Sequence, residues 1–172
     1  MKNIVLTGFM GTGKTTVGKI LAKKLNREFV DTDAIIEEKL GATISEIFKN
    51  IGEPKFREFE VQTIALISRM NDSVISCGGG AAVDPRNIEN LGKNGVIFNL
   101  YASADHILKR LGQDDTRPLI KKMTNPFEQI VKLLAQRKKA YEQCDFAINT
   151  ENITPEEVAE KIAEQFFGRL ED

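Results

Sequence analysis

Near its start the chain carries a glycine-rich segment that leaves few choices of fold, since residues 8–15 read GFMGTGKT. This fits the pattern G-x-x-x-x-G-K-[ST], in which successive backbone N–H groups and the start of a following helix form a cradle for phosphates. An apolar run at Ile4–Leu6 predicts a buried strand before the segment, and an amphipathic run at Val17–Leu25 predicts a helix after it. Strand, loop and helix in this order favour a nucleotide-phosphate site over a plain turn with an exposed lysine.

Length and charge exclude several classes of protein. A chain of 172 residues has the size of one domain, here predicted to span residues 1–172, and its net charge of −1 gives no field that would attract nucleic acid or an anionic membrane. No apolar run approaches the roughly 20 residues of a membrane span. The start of the chain lacks signal-peptide features and both cysteines are expected to be free thiols, which predicts a cytoplasmic protein. A single histidine, His106, argues against a histidine-bound metal.

Short apolar runs alternate with helical patterns along the chain. This alternation predicts a three-layer α/β domain, with a five-stranded parallel sheet covered by helices on both faces. The predicted strands are Asn3–Leu6, Glu28–Asp31, Ser73–Cys77, Val96–Leu100 and Phe146–Asn149. Ligands of such sheets bind beyond the carboxyl ends of the strands, so the residues after each strand are the candidates for function.

The predicted helix starts carry the usual signals. Capping boxes at residues 43–46 and 154–157 and prolines in the first turn predict where several helices begin. The capping residues expected from these patterns are Thr43, Asp84, Asn125 and Thr154. Pro54 is predicted to begin a long helix that runs to about Met70.

Two aspartates follow the second predicted strand, where the chain reads FVDTD at residues 29–33. Because residues two apart in an extended chain point to the same side, Asp31 and Asp33 can both face the cleft. One could organise Mg²⁺ or its waters, and the other could hold an acceptor hydroxyl and take its proton. The alternative is that Asp33 only caps the helix Ala34–Leu40 and Asp31 only closes the strand.

Three glycines, Gly78 to Gly80, follow the third predicted strand. Such a run indicates either a tight turn or backbone pressed against a ligand, and its length favours ligand contact. In the helix that starts at Pro54 most charges are expected to be exposed, but Arg57 stands between two phenylalanines and could be held at the core edge for an anion.

Residues 112–123 are the most loop-like part of the chain and carry Arg117. We expect this segment to be a short basic lid that keeps water away from the phosphates, the alternative being an ordinary exposed loop. Arg137 lies in the helix predicted at Pro126–Gln143, within a charge run that by itself indicates an exposed face.

Together these motifs resemble shikimate kinase, of the nucleoside-monophosphate-kinase-like P-loop group, over nearly the whole chain. The matching segments are GFMGTGKTT at 8–16, FVDTD at 29–33 with Ile36 and Glu37, the region from Ile47 to Glu60 with Phe56 and Arg57, the glycine triplet at 78–80, and RPL at 117–119. The resemblance implies a P-loop kinase fold, monomeric, that uses ATP and Mg²⁺ to phosphorylate the 3-hydroxyl of shikimate. Residues 33–60 would bind the acceptor.

The resemblance also implies roles for the acceptor pocket. Asp33 would hold the hydroxyls and serve as the candidate base, and Arg57 and Arg137 would clamp the carboxylate, with backbone at Gly79 and Gly80 closing the pocket. Planar guanidinium suits a carboxylate because it forms paired hydrogen bonds.

On the nucleotide side, the resemblance implies that Lys14 and Arg117 neutralise charge on the transferring group. Thr15 would bind Mg²⁺ directly and Asp31 through water. Arg110 and Pro155 fall where the family sandwiches adenine. The residues expected to contact ATP are therefore Gly11, Thr12, Gly13, Lys14, Thr15, Thr16, Arg110, Arg117 and Pro155.

The chain departs from the family pattern at three places. Cys77 stands where Thr or Ser is usual, residues 81–83 read AAV where Ala-Val is expected, and residues 137–141 read RKKAY in place of Arg-x-Pro-Leu-Tyr, which keeps Arg137 and Tyr141. We expect a thiol reagent on Cys77 to inactivate the enzyme. Two alternatives stay open: another small-molecule P-loop kinase, for gluconate or a nucleoside monophosphate, and a non-catalytic ATP-binding switch.

Overall fold

A computed structural model describes residues 1–112 and 125–171 of the chain. The elements follow in the order β1 (Asn3–Thr7), α1 (Lys14–Leu25), β2 (Glu28–Asp31), α2 (Thr32–Leu40), α3 (Ile44–Ile67), β3 (Ser73–Ser76), α4 (Pro85–Lys93), β4 (Gly95–Tyr101), α5 (Ala104–Gly112), α6 (Pro126–Tyr141), β5 (Phe146–Asn149) and α7 (Pro155–Glu171). A short 3-10 helix at Ala81–Val83 lies between β3 and α4. The predicted lid, apart from Gly112, lies outside the described residues.

The five strands form one parallel sheet in the order β2-β3-β1-β4-β5. The predicted five-stranded parallel sheet is confirmed. β1 lies in the middle, where Val5 is in register with Ile75 of β3 and Ile97 of β4. Each parallel neighbour is reached by a crossover through a helix, so the carboxyl ends of all strands open on one edge of the sheet.

Alternation along β1 divides the core into two layers. Ile4 and Leu6 face a cluster that includes Val17 and Leu21 of α1 and Val158, Ile162 and Phe166 of α7. Val5 faces the opposite cluster, with Ile64 and Ile67 of α3 and Leu91 of α4. Because side chains point alternately up and down along a strand, this near-continuous apolar run buries both faces. Helices on both faces confirm the three-layer arrangement.

Most of the capping predictions are confirmed. Thr43 and Thr154 each accept a hydrogen bond from the amide of the glutamate three positions on, whose carboxylate accepts from the threonine amide in return. Asp84 accepts from the amide of Arg86 at the start of α4. The prediction for Asn125 is wrong, since this residue has a left-handed backbone (φ 56°, ψ 65°) and its side chain makes no capping bond to the described residues.

Several helix boundaries differ from the prediction, among them the start of α1, which is Lys14 rather than Val17, and the end of α6, which is Tyr141 rather than Gln143. α2 begins at Thr32 rather than Ala34 because Asp31 caps it, accepting from the amides of Asp33 and Ala34. The helix predicted to start at Pro54 is the second half of α3, which bends at Gly52 (φ 80°, ψ 159°) and ends at Ile67. Within the described part of the chain, no helix has the length and apolar character needed to cross a membrane.

Candidate active site

The phosphate loop connects β1 to α1 and depends on glycine for its shape. Gly8, Gly11 and Gly13 have φ angles of 132°, 79° and 93°, a range that residues with a Cβ rarely adopt. A Cβ on Gly8 would lie 2.1 Å from the carbonyl oxygen of Leu100, so β4 packs directly against the loop. The loop therefore has the curvature that brings its amides toward a common centre at the start of α1.

Lys14, the first residue of α1, lies folded back over this loop. Its buried ammonium donates to the carbonyl oxygens of Gly8 at 2.8 Å and Phe9 at 2.9 Å. The Thr12 hydroxyl donates to the same Phe9 carbonyl at 2.8 Å, while Thr15 and Thr16 are exposed. The first turn of α1 carries no acidic residue of its own, which favours an anion at the positive end of the helix.

Asp31 links the end of β2 to the phosphate loop. One carboxylate oxygen accepts from the Thr15 hydroxyl at 3.1 Å, and the other caps α2. The structure thus gives Asp31 the capping role that was the alternative for Asp33. No cluster of three or more His, Cys, Asp or Glu suited to a metal occurs among the described residues. Mg²⁺ in phosphate-transfer sites usually takes one or two protein oxygens and completes its shell with phosphates and water, so Thr15 and Asp31 fit this ion.

The glycine triplet lies against two charged side chains. A Cβ on Gly78 would lie 2.3 Å from a carboxylate oxygen of Asp33, and one on Gly80 would lie 2.5 Å from a guanidinium nitrogen of Arg57. The Gly78 amide donates to the Thr32 hydroxyl at 3.0 Å, which ties the triplet to the start of α2. Glycine is therefore required here by close approach, which supports the ligand-contact interpretation over a plain turn.

Arg57 is held between two carboxylates of its own helix. Its guanidinium donates to Glu53 at 2.8 Å and to Glu60 at 2.9 Å. Burial acts to lower the pKa of Arg57, but the two carboxylates outweigh burial and the pKa is raised, so Arg57 stays charged. Sequence reasoning missed this arrangement, although the spacings of four and three residues along a helix were a usable signal.

Glu60 is the unexpected member of this group. The charge pattern placed it on an exposed face, yet it is 1% exposed and one of its oxygens has no hydrogen-bond partner among the described residues. Burial raises the pKa of Glu60, and the charge of Arg57 opposes that rise. Most charges of this helix were expected to be exposed, and Glu60 is an exception because it lies one turn after the buried Phe56 on the same face of α3. Phe59, the other phenylalanine beside Arg57, is 39% exposed.

Arg137 and Tyr141, one turn apart on α6, meet the same backbone atom. The Tyr141 hydroxyl donates to the Gly79 carbonyl at 2.6 Å and Arg137 donates to it at 3.3 Å. Arg137 also lies over the ring of Phe9, with its guanidinium carbon 5.8 Å from the ring centre. Lys138 and Lys139 are exposed, so the charge run is a solvated face except at Arg137, which turns inward.

A cleft of about 490 Å³ opens between these elements. It is lined by Glu53, Pro54, Arg57, Val83, Asp84, Pro85 and Arg137. Arg57 and Arg137 are the cations of this lining, and they come from two different helices. Such a pair can hold a carboxylate from both sides.

Arg110 connects the phosphate loop to the segment between β5 and α7. Its guanidinium donates to the Gly11 carbonyl at 3.3 Å and to the Thr150 hydroxyl at 2.9 Å. Pro155, the other residue expected at adenine, is exposed at the first position of α7. Arg117 lies outside the described residues.

The structure argues against the expected reactivity of Cys77. This thiol is 2% exposed, and burial raises its pKa far above the ordinary value of a thiol. A thiol reagent needs both access and thiolate, and Cys77 offers neither.

Comparisons with known proteins agree with this geometry. A protein-family model described as shikimate kinase matches residues 10–167. The shikimate kinase of Caldicellulosiruptor bescii is 52% identical over 162 residues, which cover 94% of this chain and 94% of that protein. The shikimate kinase of Thermodesulfovibrio yellowstonii is 52% identical over 166 residues, 96% of this chain and 95% of that protein. The solved structure of shikimate kinase from Acinetobacter baumannii in complex with shikimate has a TM-score of 0.91 and 37% identity, covering 98% of this chain and 94% of that one.

Proposed function

The chain belongs to the shikimate kinase family, and from that premise we propose how its residues transfer a phosphoryl group from ATP to the 3-hydroxyl of shikimate. The enzyme is an ATP-dependent kinase with an alcohol as acceptor, in the route to chorismate and the aromatic amino acids. The observation that carries the site assignment is the convergence of Asp33, Arg57 and Arg137 on the three glycines after β3.

The carboxylate of shikimate binds between Arg57 and Arg137. These guanidinium groups line the same cleft, and each can offer a pair of N–H groups to one carboxylate. Arg57 reaches the cleft already oriented by Glu53 and Glu60, so little side-chain freedom is lost on binding. Gly79 and Gly80 close the pocket, because a side chain on Gly80 would collide with Arg57 and one on Gly79 would press on Met10 of the phosphate loop.

Asp33 binds the acceptor hydroxyls. Its carboxylate lies against Gly78, the residue before Gly79, and Gly79 is the member of the triplet that lies against the phosphate loop. The 3-hydroxyl donates its proton to Asp33 as its oxygen bonds to the γ-phosphorus, and the bond from that phosphorus to the β-phosphate oxygen breaks to release ADP. Positioning of the hydroxyl supplies much of the rate because the transferring phosphoryl group is loosely bonded in the transition state.

The phosphates of ATP bind in the loop from Gly11 to Thr16. Lys14 and Arg117 neutralise charge that develops on the transferring group, and the loop amides hold the phosphates in place. Mg²⁺, when bound, would shield phosphate charge, held by the Thr15 hydroxyl and by Asp31 through water. Arg110 and Pro155 hold the adenine on the outer side of the loop.

The remaining expectations belong to the same proposal. Residues 1–172 act as one P-loop kinase domain, in which residues 33–60 bind the acceptor and residues 112–123 form the lid. The protein acts as a monomer in the cytoplasm and binds neither nucleic acid nor membrane. The net charge of −1 supports the exclusion of nucleic acid.

The test is coupled detection of ADP release with a panel of acceptors. Purified protein with ATP and magnesium is offered shikimate, gluconate and a nucleoside monophosphate in turn. We expect ADP release with shikimate alone, and mass spectrometry of the product should show one added phosphate. Turnover of another acceptor with none for shikimate would overturn the assignment, and turnover of no acceptor would favour a switch.

A further inference from the structure

Tyr141 is a buried phenol to which the roles above assign nothing. Its side chain is 8% exposed and packs in an apolar cluster with Phe9 of the phosphate loop and Ala82 of the 3-10 helix. Its hydroxyl donates to the Gly79 carbonyl at 2.6 Å, a short bond for an O–H donor. The ring of Tyr141 is therefore buried beside the phosphate loop, while its hydroxyl binds the Gly79 carbonyl in the acceptor pocket.

Gly79 lies where the two substrate pockets touch. A Cβ on Gly79 would be 3.2 Å from the Met10 amide nitrogen and 3.7 Å from the Phe9 carbonyl carbon, both in the phosphate loop. Its neighbours on either side, Gly78 and Gly80, lie against Asp33 and Arg57. The position of Gly79 therefore sets how far the acceptor groups stand from the phosphates.

A glycine triplet needs an external tether to be rigid. Glycine has more backbone freedom than any other residue and offers no side chain to pack. The peptide that joins Gly79 to Gly80 is planar, so a bond that holds the Gly79 carbonyl also fixes the direction of the Gly80 N–H. Tyr141 and Arg137 both donate to that carbonyl, and Arg137 is thereby oriented as well.

We propose that Tyr141 is a positioning residue that couples the acceptor pocket to the phosphate loop by holding the Gly79 carbonyl through its hydroxyl. The inference rests on the proposed binding of shikimate in the Arg57–Arg137 cleft. When shikimate draws Arg137 to its carboxylate, Tyr141 is the side chain among the described residues that still donates to the Gly79 carbonyl. Tyr141 thus keeps the triplet against Met10 while the acceptor is bound.

If Tyr141 only stabilised the fold, its ring would be the important group and its hydroxyl could be removed without effect on catalysis. The ring fills the cluster with Phe9, and phenylalanine would fill it equally well. Burial raises the pKa of Tyr141, although the hydrogen bond from Arg137 acts in the opposite direction, so the phenol is a neutral donor at neutral pH. Tyr141→Phe therefore removes the tether and leaves the packing in place.

The chain offers a matched control. It contains two tyrosines, and the other, Tyr101, is 46% exposed at the end of β4. Relative to Tyr101→Phe, we expect Tyr141→Phe to raise KM for shikimate about fivefold, the usual worth of one hydrogen bond, and to lower kcat. ATP binding in the absence of shikimate should change by less than about twofold, whereas KM for ATP at saturating shikimate should rise by a similar factor, because the coupling between two sites is reciprocal. A fall in melting temperature with unchanged kinetics would show a structural role and overturn the inference.

Coupling between the substrates gives a second readout. Calorimetric titration of shikimate is run with and without a non-hydrolysable ATP analogue, for the wild type and for both variants. We expect the analogue to tighten shikimate binding in the wild type and in Tyr101→Phe, and to do so about fivefold less in Tyr141→Phe. Equal tightening in all three proteins would contradict the inference.

A third readout does not require Tyr141→Phe to fold. The chain has no tryptophan, so in Tyr101→Phe the near-ultraviolet tyrosine signal comes from Tyr141 alone. Shikimate should shift this signal as Arg137 leaves the shared carbonyl, and an unchanged spectrum at saturating shikimate would overturn the inference. Wild-type protein that leaves shikimate unphosphorylated would overturn the proposed function itself. If the wild type phosphorylates shikimate and Tyr141→Phe shows the same kinetics and the same coupling as Tyr101→Phe, only the proposed role of Tyr141 is overturned.

Discussion

Asp31 and Asp33 are two residues apart, yet their carboxylates do different work. Asp31 is occupied by the Thr15 hydroxyl and by the start of α2, whereas Asp33 lies against Gly78 in the acceptor pocket. Strand alternation predicts that both face the cleft, but the chain is already helical at Asp33, so alternation does not apply there. The start of α2, not strand alternation, turns Asp33 toward the triplet.

Asp33→Asn keeps the size of the side chain and removes its charge and its ability to take a proton. We expect turnover of shikimate to fall by about two to four orders of magnitude, while calorimetry shows ATP binding close to wild type. Asp105→Asn is the control, since Asp105 is exposed in the first turn of α5. Undiminished turnover in Asp33→Asn would remove Asp33 from the mechanism.

Cys77 should be inert in the folded protein. Cys144→Ala leaves Cys77 as the sole thiol, and we expect this variant to react with dithionitrobenzoate only after denaturation, because burial denies both access and ionisation. Absorbance of the released thiolate measures the reaction, and Cys77→Ala reports the half-buried Cys144 for comparison. Fast stoichiometric labelling of native Cys144→Ala, with loss of activity, would restore the earlier expectation.

At the scale of residues, the sequence motifs predicted the main residues of the site. They did not predict the contacts that hold those residues in place. The phosphate loop, Asp33 and Arg57 stand in recognisable patterns, so their neighbourhood could be anticipated. Glu60 could not, since a glutamate in a charged run is normally exposed and only the packing of α3 buries it. The Gly79 tether joins residues 62 positions apart, which local spacing does not reveal.

The bend in α3 belongs to the scale of elements. Gly52 adopts φ 80° and ψ 159°, a conformation that other residues reach only with strain, while a Cβ there would meet nothing closer than the Pro54 ring at 3.7 Å. Gly52→Ala should therefore lower the free energy of unfolding by about 1–3 kcal/mol through strain and not through collision. Urea denaturation measures the change.

Gly168 in α7 supplies a control of opposite sign. It lies in a helix, and a Cβ there would meet no atom within 4 Å. Gly168→Ala should raise the free energy of unfolding by up to about 1 kcal/mol, because alanine loses less backbone freedom in a helix. If both variants shifted stability in the same direction, backbone conformation would not be the cause of either effect.

Capping residues and first-turn prolines marked several helix starts correctly, but neither signal was reliable everywhere. α6 begins at Pro126 as predicted without a side-chain cap, whereas α2, capped by Asp31, begins two residues before the predicted Ala34. Thr43 and Thr154 form the capping boxes that their sequences indicate.

Asn125 also precedes a helix and is of a residue type that commonly caps one. It adopts a left-handed backbone, however, and its side chain makes no capping bond to the described residues. At Pro54 the signal was correct for the second half of α3, but it gave no hint that the helix continues from before the bend.

For the whole molecule, the capping boxes make the free energy of unfolding depend on pH in the acid range. The hydrogen bonds from Thr43 and Thr154 hold the pKa values of Glu46 and Glu157 below the ordinary value of 4.5. A lowered folded pKa gives stability that is present above the unfolded value and lost as pH falls through the folded value. Glu60 has the opposite effect on stability. Its pKa is raised in the folded protein, so its contribution favours folding at lower pH. We expect net stability to fall from about pH 5 towards about pH 3.

The double variant Glu46→Gln/Glu157→Gln isolates this effect. Glutamine can still accept from the threonine amides, so the capping boxes survive without a titrating group. Denaturant unfolding at several pH values should give a shallower decline below about pH 5 than in the wild type. An unchanged slope would assign the acid dependence to other carboxylates.

The layers of the fold could be predicted from alternation alone, but the order of strands could not. Five apolar runs separated by helices indicate a parallel sheet, and the confirmed sheet has five parallel strands. Which strand lies in the middle depends on crossovers between segments far apart in the chain. No local pattern records that β1 pairs with both β3 and β4.

The central place of β1 has a consequence for biosynthesis. β1 leaves the ribosome before β3 and β4, with which it pairs, and α7 is made later still, although it closes over α1 in the same apolar layer. The Leu100 carbonyl that shapes the loop at Gly8 also belongs to a strand synthesised long after it. The nucleotide cradle therefore takes its final form only after β4 has been synthesised, and until then the apolar β1 is left for chaperones to shield.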